Sequence, residues 1–209
     1  MNPEAKIMLD HCASLGITHG RMLDLGAGND VEGDSSVALP FIERGWDVVL
    51  VDAAPACVEI LAAKYGRHPK VKVVQALVAS YQVKFAPFYQ ITTDVVLSTA
   101  CEALMKRRIG REEFSVIHQA VVTVNDLVDK FGPFDVVSVD IEGHSMAAAR
   151  QFMRCPKPPY TICVEVFPKD VLGQDEAAEM NAFAEWKEVG YAEWNVVART
   201  KENLVLVCA

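Results

Sequence analysis

Two short apolar segments, each followed by residues suited to ligand binding, constrain the fold of this chain more than any other feature. Residues 22–28 read MLDLGAG, an apolar strand that ends in a glycine-rich turn, and residues 48–51 form an apolar run that is followed by Asp52. Glycine has no Cβ, so such a turn lets the backbone approach a ligand closely. A carboxylate at the end of the next strand can accept hydrogen bonds from a ribose diol. The two segments therefore predict a pocket for an adenosine-like cofactor at the carboxyl ends of parallel strands.

The rest of the chain alternates short apolar strands with amphipathic helices, which predicts β-α-β units and a mostly parallel sheet. The predicted strands cover residues 21–26, 47–52, 71–78, 134–140, 160–166, 191–198 and 203–208, and the predicted helices cover about 3–15, 55–66, 125–131, 145–155 and 175–189. The short connection at 199–202 suits an antiparallel hairpin. We predict an α/β, Rossmann-like fold with a mostly parallel seven-stranded sheet and a C-terminal antiparallel hairpin, in a single domain that spans 1–209. Residues 80–118 follow no clear pattern apart from a helical patch near 100–108, and they are predicted to form a substrate or lid segment.

Composition argues against several classes of function. The net charge of −8 opposes general nucleic-acid binding, which relies on Lys and Arg to neutralise phosphates. No apolar stretch approaches the roughly 18 residues of a membrane helix, and the first residues lack the apolar core of a secretory signal. The six cysteines are dispersed and include no Cys-x-x-Cys pair, which favours a reducing compartment. We therefore expect a cytoplasmic protein that acts on a small molecule and has no nucleic-acid or membrane partner, with its oligomeric state left open.

The strand count and the first turn distinguish two classes of cofactor. A seven-stranded sheet that ends in a reversed pair resembles the class I S-adenosylmethionine-dependent methyltransferases, whereas nicotinamide-binding domains usually have six parallel strands. A dinucleotide-binding turn has the form Gly-x-Gly-x-x-Gly, but Val31 occupies the place of the third glycine here. The resemblance implies that Gly26, Ala27 and Gly28 bind S-adenosylmethionine. It also implies that Asp24 lies near the methionyl ammonium, with capping of the turn as the alternative role.

Three further residues are candidates for the nucleoside part of the cofactor. Asp52 is expected to bind the ribose, and it could also N-cap the helix that begins at Pro55, because Asp is a favoured cap. The resemblance places Ala53 beside the adenine. Leu77 is either an adenine contact or an ordinary core leucine, since leucines in strands are usually buried.

A second candidate site lies at the end of the fourth strand, where residues 139–145 read VDIEGHS. Side chains alternate along a strand, so Asp140 and Glu142 share one side, and Gly143 lets the chain turn. Together with His144, and with Glu165 at the end of the neighbouring strand, they could supply a general base for a hydroxyl or bind a divalent cation. A helix cap and a solvated loop are the alternative. We select Asp140, Glu142 and His144 as candidate catalytic residues and predict no metal.

These segments together resemble the FkbM-type methyltransferases, which have an Asp-x-Gly-Ala start and an Asp-Val-Glu-Gly-x-Glu segment at the fourth strand. The likeness includes residues 122–128 (VTVNDLV), 163–165 (CVE) and 190–191 (GY), so it covers most of 21–208. It implies methyl transfer from S-adenosylmethionine to oxygen, typically a hydroxyl of a sugar, polyketide or other metabolite. Two features depart from the pattern. Ser145 replaces the second acid, and the glycine turn is longer. Pro40 is expected to make the helix that follows start late or bend.

Two more groups of residues have alternative interpretations. The basic residues Lys106, Arg107, Arg108 and Arg111 could receive an anionic substrate, but such runs are more often a solvated helix face. The aromatic residues of the lid segment either line an acceptor pocket or pack the lid; they are Tyr81, Phe85, Phe88 and Tyr89.

Two rival functions follow from the same sequence. A small NAD(P)-dependent oxidoreductase would need a proton donor such as a Tyr-x-x-x-Lys pair, and none of the tyrosines has a lysine four residues later. A catalytically degenerate domain that binds S-adenosylmethionine is the other rival, and Ser145 and the longer turn favour it.

Overall fold

The computed structural model of the chain describes residues 1–29, 36–108, 113–166, 194–200 and 203–208. The strands in these residues are β1 Arg21–Leu25, β2 Asp47–Asp52, β3 Val71–Gln75, β4 Leu77–Val78, β5 Phe85–Ile91, β6 Phe114–Val122, β7 Val136–Val139, β8 Thr161–Glu165, β9 Trp194–Arg199 and β10 Asn203–Cys208. The helices are α1 Pro3–Ser14, α2 Leu39–Glu43, α3 Pro55–Tyr65, α4 Glu102–Arg108, α5 Val124–Phe131 and α6 Ser145–Met153, and a 3₁₀ turn covers Val95–Leu97.

A seven-stranded sheet in the order β3-β2-β1-β7-β8-β10-β9 forms the centre of the molecule. Strands β3, β2, β1, β7 and β8 are parallel, while β10 is antiparallel to both β8 and β9. The predicted fold, including the terminal hairpin, is therefore confirmed. Because β1 pairs with both β2 and β7, the strand order reverses there, and a crevice opens at the carboxyl ends of these strands.

Apolar side chains cover both faces of the central sheet. On one face, Met22 and Leu50 pack with residues of α1, α2 and α3, such as Met8 and Phe41. On the other face, Leu23 and the neighbouring strand residues pack with residues of α5 and α6. This three-layer arrangement follows from the alternation of side chains along each strand. No helix in the described residues is both long enough and apolar enough to cross a membrane.

Local signals in the sequence set the ends of several helices. Pro55 lies in the first turn of α3, where its missing N–H costs no hydrogen bond, and the helix ends at Tyr65 with Gly66 as its C-cap, one residue before the predicted end. Pro40 likewise lies in the first turn of α2, which begins only at Leu39 and is short. The expectation that the helix after the glycine turn begins late is therefore confirmed.

The structure differs from the predicted elements at the end of the third strand. The predicted strand 71–78 is divided after Gln75, because the N–H of Ala76 donates to the carbonyl of Asp52 at 3.0 Å and the chain then leaves the central sheet. Strand β4 joins a second, three-stranded sheet in the order β4-β6-β5. The segment 80–118, which the sequence pattern left unassigned, supplies β5 and most of β6 in that sheet. The predicted helix 175–189 and residues 191–193 of the hairpin lie outside the described residues.

Candidate active site

The glycine-rich turn after β1 lies directly against the end of β7. The N–H groups of Gly26 and Ala27 both donate to the carbonyl of Val51, at 2.9 and 3.1 Å, which joins the turn to β2. Gly26 has a φ of 76°, and a Cβ on this residue would lie 1.6 Å from the carbonyl oxygen of Asp140. A glycine is therefore required at position 26 both by its left-handed conformation and by the close approach of another backbone.

The carboxylate of Asp52 connects the two segments that predicted the pocket. Its Oδ2 accepts a hydrogen bond from the N–H of Gly28 at 2.8 Å, and its Oδ1 accepts one from the N–H of Ala54 at 2.7 Å. Burial raises the pKa of the Asp52 carboxyl above its usual value, while these backbone hydrogen bonds act in the opposite direction. The N-cap of α3 is Ala54, so the alternative in which Asp52 occupies the cap position is wrong. The backbone of Ala53 also donates to this carboxylate, and because its two oxygens offer about four lone-pair sites, it can still accept a hydroxyl.

A pocket of about 260 Å³ lies above the glycine turn, at the carboxyl ends of β1, β2 and β7. Six of the predicted cofactor residues line it, namely Gly26, Ala27, Gly28, Asp52, Ala53 and Leu77. The seventh, Asp24, is only 7% exposed and is not among the described residues that form the wall. Burial first, and then the charges of neighbouring carboxylates including Asp24, raise the pKa of the Cys163 thiol. Asp24 lies within β1, where it is paired with Leu50 of β2 and with Ser138 of β7.

Three carboxylates gather at the β7 side of the pocket. Asp140, Glu142 and Glu165 each offer an oxygen atom within 4.8 Å of the others. Burial raises the pKa of the Glu165 carboxyl well above its usual range, and the negative charges of Asp140 and Glu142 raise it further. Oxygen ligands at this spacing could hold a divalent cation. Asp140 and Glu142 also line the pocket, where a carboxylate could accept a proton.

Ser145, the residue that departs from the FkbM pattern, supports this acidic cluster. Its Oγ accepts a hydrogen bond from the N–H of Ile141 at 2.9 Å and donates to Glu165 Oε2 at 3.4 Å. A hydroxyl thus occupies the place of the second acid and connects the loop after β7 to the end of β8.

Glu142 has an unusual backbone conformation and a specific partner. Its φ of 46° is the one left-handed value of a non-glycine residue in the described part of the chain. Such a conformation costs about 1–2 kcal/mol. Its Oε2 lies 2.7 Å from Nη2 of Arg108, and its carbonyl accepts a hydrogen bond from Thr99 Oγ1 at 2.6 Å. These contacts offset the cost of the backbone conformation.

The ion pair corrects the interpretation of the basic cluster. Lys106 has a side chain that is 67% exposed and pairs with Glu102 on the helix surface, as a solvated face predicts. The Arg108 side chain, in contrast, is 16% exposed and points to the acidic loop. Arg111 lies outside the described residues.

His144 lies apart from the other candidate catalytic residues. It lines a small neighbouring cavity of about 50 Å³ together with Tyr81, and that cavity shares Leu77 and Ile141 with the main pocket. Burial lowers the pKa of His144, although a hydrogen bond to the backbone of Ala100 opposes the shift. The imidazole is therefore neutral at neutral pH and retains the ability to accept a proton.

The predicted lid segment, residues 80–118, covers the pocket on the side away from the central sheet. Residues 95–108, which we call the roof segment, contribute Val95, Val96, Ser98 and Ala100 to the pocket wall. Phe88 of β5 lines the pocket and is 4% exposed. Tyr81 and Phe85 are each 54% exposed, and Tyr89 packs edge-on against Phe114. Phe88 thus lines the pocket, whereas Tyr89 packs within the lid segment.

Gln119 contacts Ala53, a residue of the pocket wall, and the sequence pattern did not indicate it. Its Nε2 donates to the carbonyl of Ala53 at 2.7 Å, and its Oε1 accepts from Nε2 of Gln75 at 3.3 Å. The side chain is 7% exposed. No signal in the sequence indicates this residue, because its role depends on a partner 66 residues away.

Several solved structures share this fold. The S-adenosylhomocysteine-bound methyltransferase PaMTH1 of Podospora anserina matches with 13% identity and a TM-score of 0.53, over 99% of this chain and 78% of that chain. The methyltransferase FkbM of Methylobacillus flagellatus matches with 12% identity and a TM-score of 0.54, over 91% of this chain and 44% of that chain. The C-terminal domain of precorrin-6Y C5,15-methyltransferase of Rhodobacter capsulatus matches with 10% identity and a TM-score of 0.50, over 99% and 86%.

The fold is that of the Rossmann-like methyltransferases. No protein-family model matches the chain, and no curated protein matches it by sequence. The likeness therefore concerns the arrangement of the strands and helices.

Proposed function

We propose that this protein is an S-adenosylmethionine-dependent methyltransferase. The observation that carries the proposal is the carboxylate of Asp52, which is bonded to the glycine turn at Gly28 and lines a pocket at the reversal of strand order. In open α/β sheets, ligands bind at this position, and a carboxylate at the end of the second strand can accept both hydroxyls of a ribose. Ala53 and Leu77 supply apolar surface for an adenine beside it.

The charge of the pocket favours this cofactor over a dinucleotide. Asp52, Asp140 and Glu142 line the pocket, and the described part of its wall contains no Lys or Arg. S-adenosylmethionine carries a positive sulfonium and a positive ammonium, which such a wall attracts. A pyrophosphate would be repelled by the same carboxylates. The reversed strand β10 also differs from the six parallel strands of the dinucleotide-binding fold.

We propose that the acceptor is a hydroxyl of a small metabolite or sugar, as the resemblance to the FkbM type implies. In this reaction the bond between the sulfur and the methyl carbon breaks, the acceptor oxygen bonds to that carbon, and S-adenosylhomocysteine leaves. Orientation of the two reactants can lower the barrier by roughly 7–11 kcal/mol. The hydroxyl proton passes to a base, for which Asp140 lies at the pocket wall and is exposed. Glu142 and His144 are the other candidates.

Calorimetry tests the cofactor directly. We expect S-adenosylmethionine and S-adenosylhomocysteine to bind and NAD not to bind. Ligand at 100 times its dissociation constant should also stabilise the fold by about 2.7 kcal/mol, which thermal unfolding detects. Folded protein that gives no heat with either sulfur compound would refute the proposal.

Only a turnover assay distinguishes an active enzyme from a catalytically degenerate binding domain. We expect release of S-adenosylhomocysteine from S-adenosylmethionine when a panel of hydroxylated acceptors is supplied. A variant that retains cofactor binding and loses this release, such as Asp140→Asn, is the appropriate control. Binding without turnover across acceptors of every class would favour the degenerate domain.

A further inference from the structure

One ion pair joins the roof segment, residues 95–108, to the acidic loop at the end of β7. The guanidinium of Arg108 donates through Nη2 to Glu142 Oε2 at 2.7 Å, and the two side chains are 16% and 12% exposed. The same guanidinium donates through Nη1 to the carbonyl of Leu97. Arg108 therefore joins both ends of the roof segment to each other and to Glu142.

Further contacts beside this ion pair also join the roof segment to the loop at the end of β7. Thr99 Oγ1 donates to the carbonyl of Glu142 at 2.6 Å and accepts from the N–H of Cys101 at 2.9 Å. A Cβ on Gly143 would lie 2.8 Å from Cys101 Cβ, so the two backbones are in close contact. Residues 99 and 101 thus contact the loop, while Ser98 and Ala100 line the pocket. The position of the roof and the shape of the pocket are consequently coupled.

We propose that Arg108 is a positioning residue that holds the roof segment over the cofactor pocket through its ion pair with Glu142. The identity of the bound molecule in this proposal rests on the proposed function. Removal of the guanidinium deprives a largely buried carboxylate of this cation, beside the carboxylates of Asp140 and Glu165. Loss of one partner from such a pair is strongly unfavourable, because the Glu142 carboxylate stays largely buried without this cation. The variant also lacks the ion pair that joins the roof segment to the loop, so the roof should separate from the loop more often.

The neighbouring residues of α4 provide matched variants. Arg107 is exposed and precedes Arg108 in the same helix, so Arg107→Gln removes an equal charge at the same end. Arg108→Lys retains the charge, but an ammonium cannot span both the Leu97 carbonyl and the Glu142 carboxylate as the planar guanidinium does. The three variants Arg108→Gln, Arg108→Lys and Arg107→Gln therefore separate net charge from geometry.

Two measurements test the proposal: the affinity for S-adenosylhomocysteine by calorimetry, and amide hydrogen exchange of residues 95–101. The N–H of Thr99 donates to the carbonyl of Tyr89 at 3.0 Å, so exchange at this amide reports on opening of the roof. We expect Arg108→Gln to accelerate roof exchange and to weaken binding, each by about tenfold. Arg107→Gln should match the wild type, and Arg108→Lys should be intermediate.

Several outcomes would overturn the proposal. One is a folded Arg108→Gln variant with wild-type affinity and wild-type exchange in the roof. Another is faster exchange that is equal in β1 and β2, because that pattern reports general destabilisation. If Arg108→Gln does not fold, Arg108→Lys and Thr99→Val replace it, and unchanged roof exchange in both refutes the role. If the wild type itself does not bind S-adenosylhomocysteine, the proposed function fails, while roof exchange in the ligand-free protein still decides the role of Arg108.

Discussion

At the scale of single residues, the closest backbone approach of the site is at Gly26. This residue shares its left-handed conformation with Gly16, whose φ is 75° against 76° for Gly26. The surroundings of the two differ, because a Cβ on Gly16 would have no atom within 4 Å, whereas a Cβ on Gly26 would lie 1.6 Å from the Asp140 carbonyl oxygen. Comparison of the two glycines therefore separates the energetic cost of a left-handed side-chain residue from the cost of a steric contact with another backbone.

We predict that Gly26→Ala destabilises the fold far more than Gly16→Ala does. Both variants place a side chain in a left-handed conformation, which costs about 1–2 kcal/mol, but only Gly26→Ala forces the turn away from β7. Urea unfolding should show a loss near this value for Gly16→Ala and a larger one for Gly26→Ala, together with loss of S-adenosylhomocysteine binding. Equal losses in the two variants would mean that the turn adapts to a methyl group.

Asp52 carries a second prediction at this scale. Asp52→Asn keeps one carbonyl oxygen but directs an NH₂ group at one of the two N–H donors, of Gly28 or Ala54. We expect affinity for S-adenosylhomocysteine to fall by about tenfold or more, the equivalent of at least one charged hydrogen bond. Asp47→Asn, at the exposed start of the same strand, is the control and should bind as the wild type does. Calorimetry with both variants makes the measurement.

At the scale of elements, the sequence predicted the strands and helices whose bounds depend on residues close together in the chain. The bounds of β2 follow from an apolar run, and those of α3 follow from Pro55 and Gly66, each of which affects only the backbone beside it. Strand β6 could not be predicted, because Gln119 is its one residue that is more than nine-tenths buried and its other side chains face outward or are half-buried. The roles of Arg108 and Gln119 depend on partners 34 and 66 residues away, which no periodicity contains.

The contact between β6 and the loop after β2 gives a prediction for the second sheet. Gln119→Leu keeps the size of the side chain and leaves the Ala53 carbonyl without the hydrogen bond from Nε2. An unsatisfied buried carbonyl costs about 1–3 kcal/mol, and Ala53 lines the pocket. We expect lower stability in urea and weaker binding of S-adenosylhomocysteine, with the far-ultraviolet circular dichroism unchanged. Gln90→Leu in the neighbouring strand is the control, and equal effects of the two would contradict this role for Gln119.

At the scale of the whole molecule, the excess of acidic groups affects the stability of the fold as well as the choice of ligand. The chain has a net charge of −8, and three carboxylates meet at the β7 side of the pocket. Two interactions reduce the negative charge there, the ion pair of Glu142 with Arg108 and retention of a proton by Glu165. The raised pKa of Glu165 favours uptake of a proton on folding, so stability is linked to pH.

The sign of this linkage follows from the direction of the shift at Glu165. Its pKa in the folded protein lies above the usual 4.5, so the native state binds more protons than the unfolded state above that pH. The free energy of unfolding should then fall as pH rises, by up to about 1.4 kcal/mol per pH unit from this one group. His144 acts in the opposite direction, because its lowered pKa makes stability rise with pH, but only up to its usual value of 6.5. From pH 7 to 8.5 the His144 contribution has ended, but the thiols of Cys12, Cys155 and Cys163, whose pKa values burial raises, begin to act in the same direction as Glu165. Comparison of the wild type with Glu165→Gln therefore isolates the contribution of Glu165.

We predict that the wild type loses stability across pH 7–8.5 and that Glu165→Gln loses less. Glutamine has the shape of the protonated carboxyl and needs no proton, so the variant should be more stable than the wild type at the upper end of the range. Urea unfolding in the presence of a chelator measures both slopes, and Glu59→Gln on the exposed surface of α3 is the control. Parallel slopes in the wild type and Glu165→Gln would mean that Glu165 is ionised in the folded protein, and the acidic cluster would then need a cation to neutralise it.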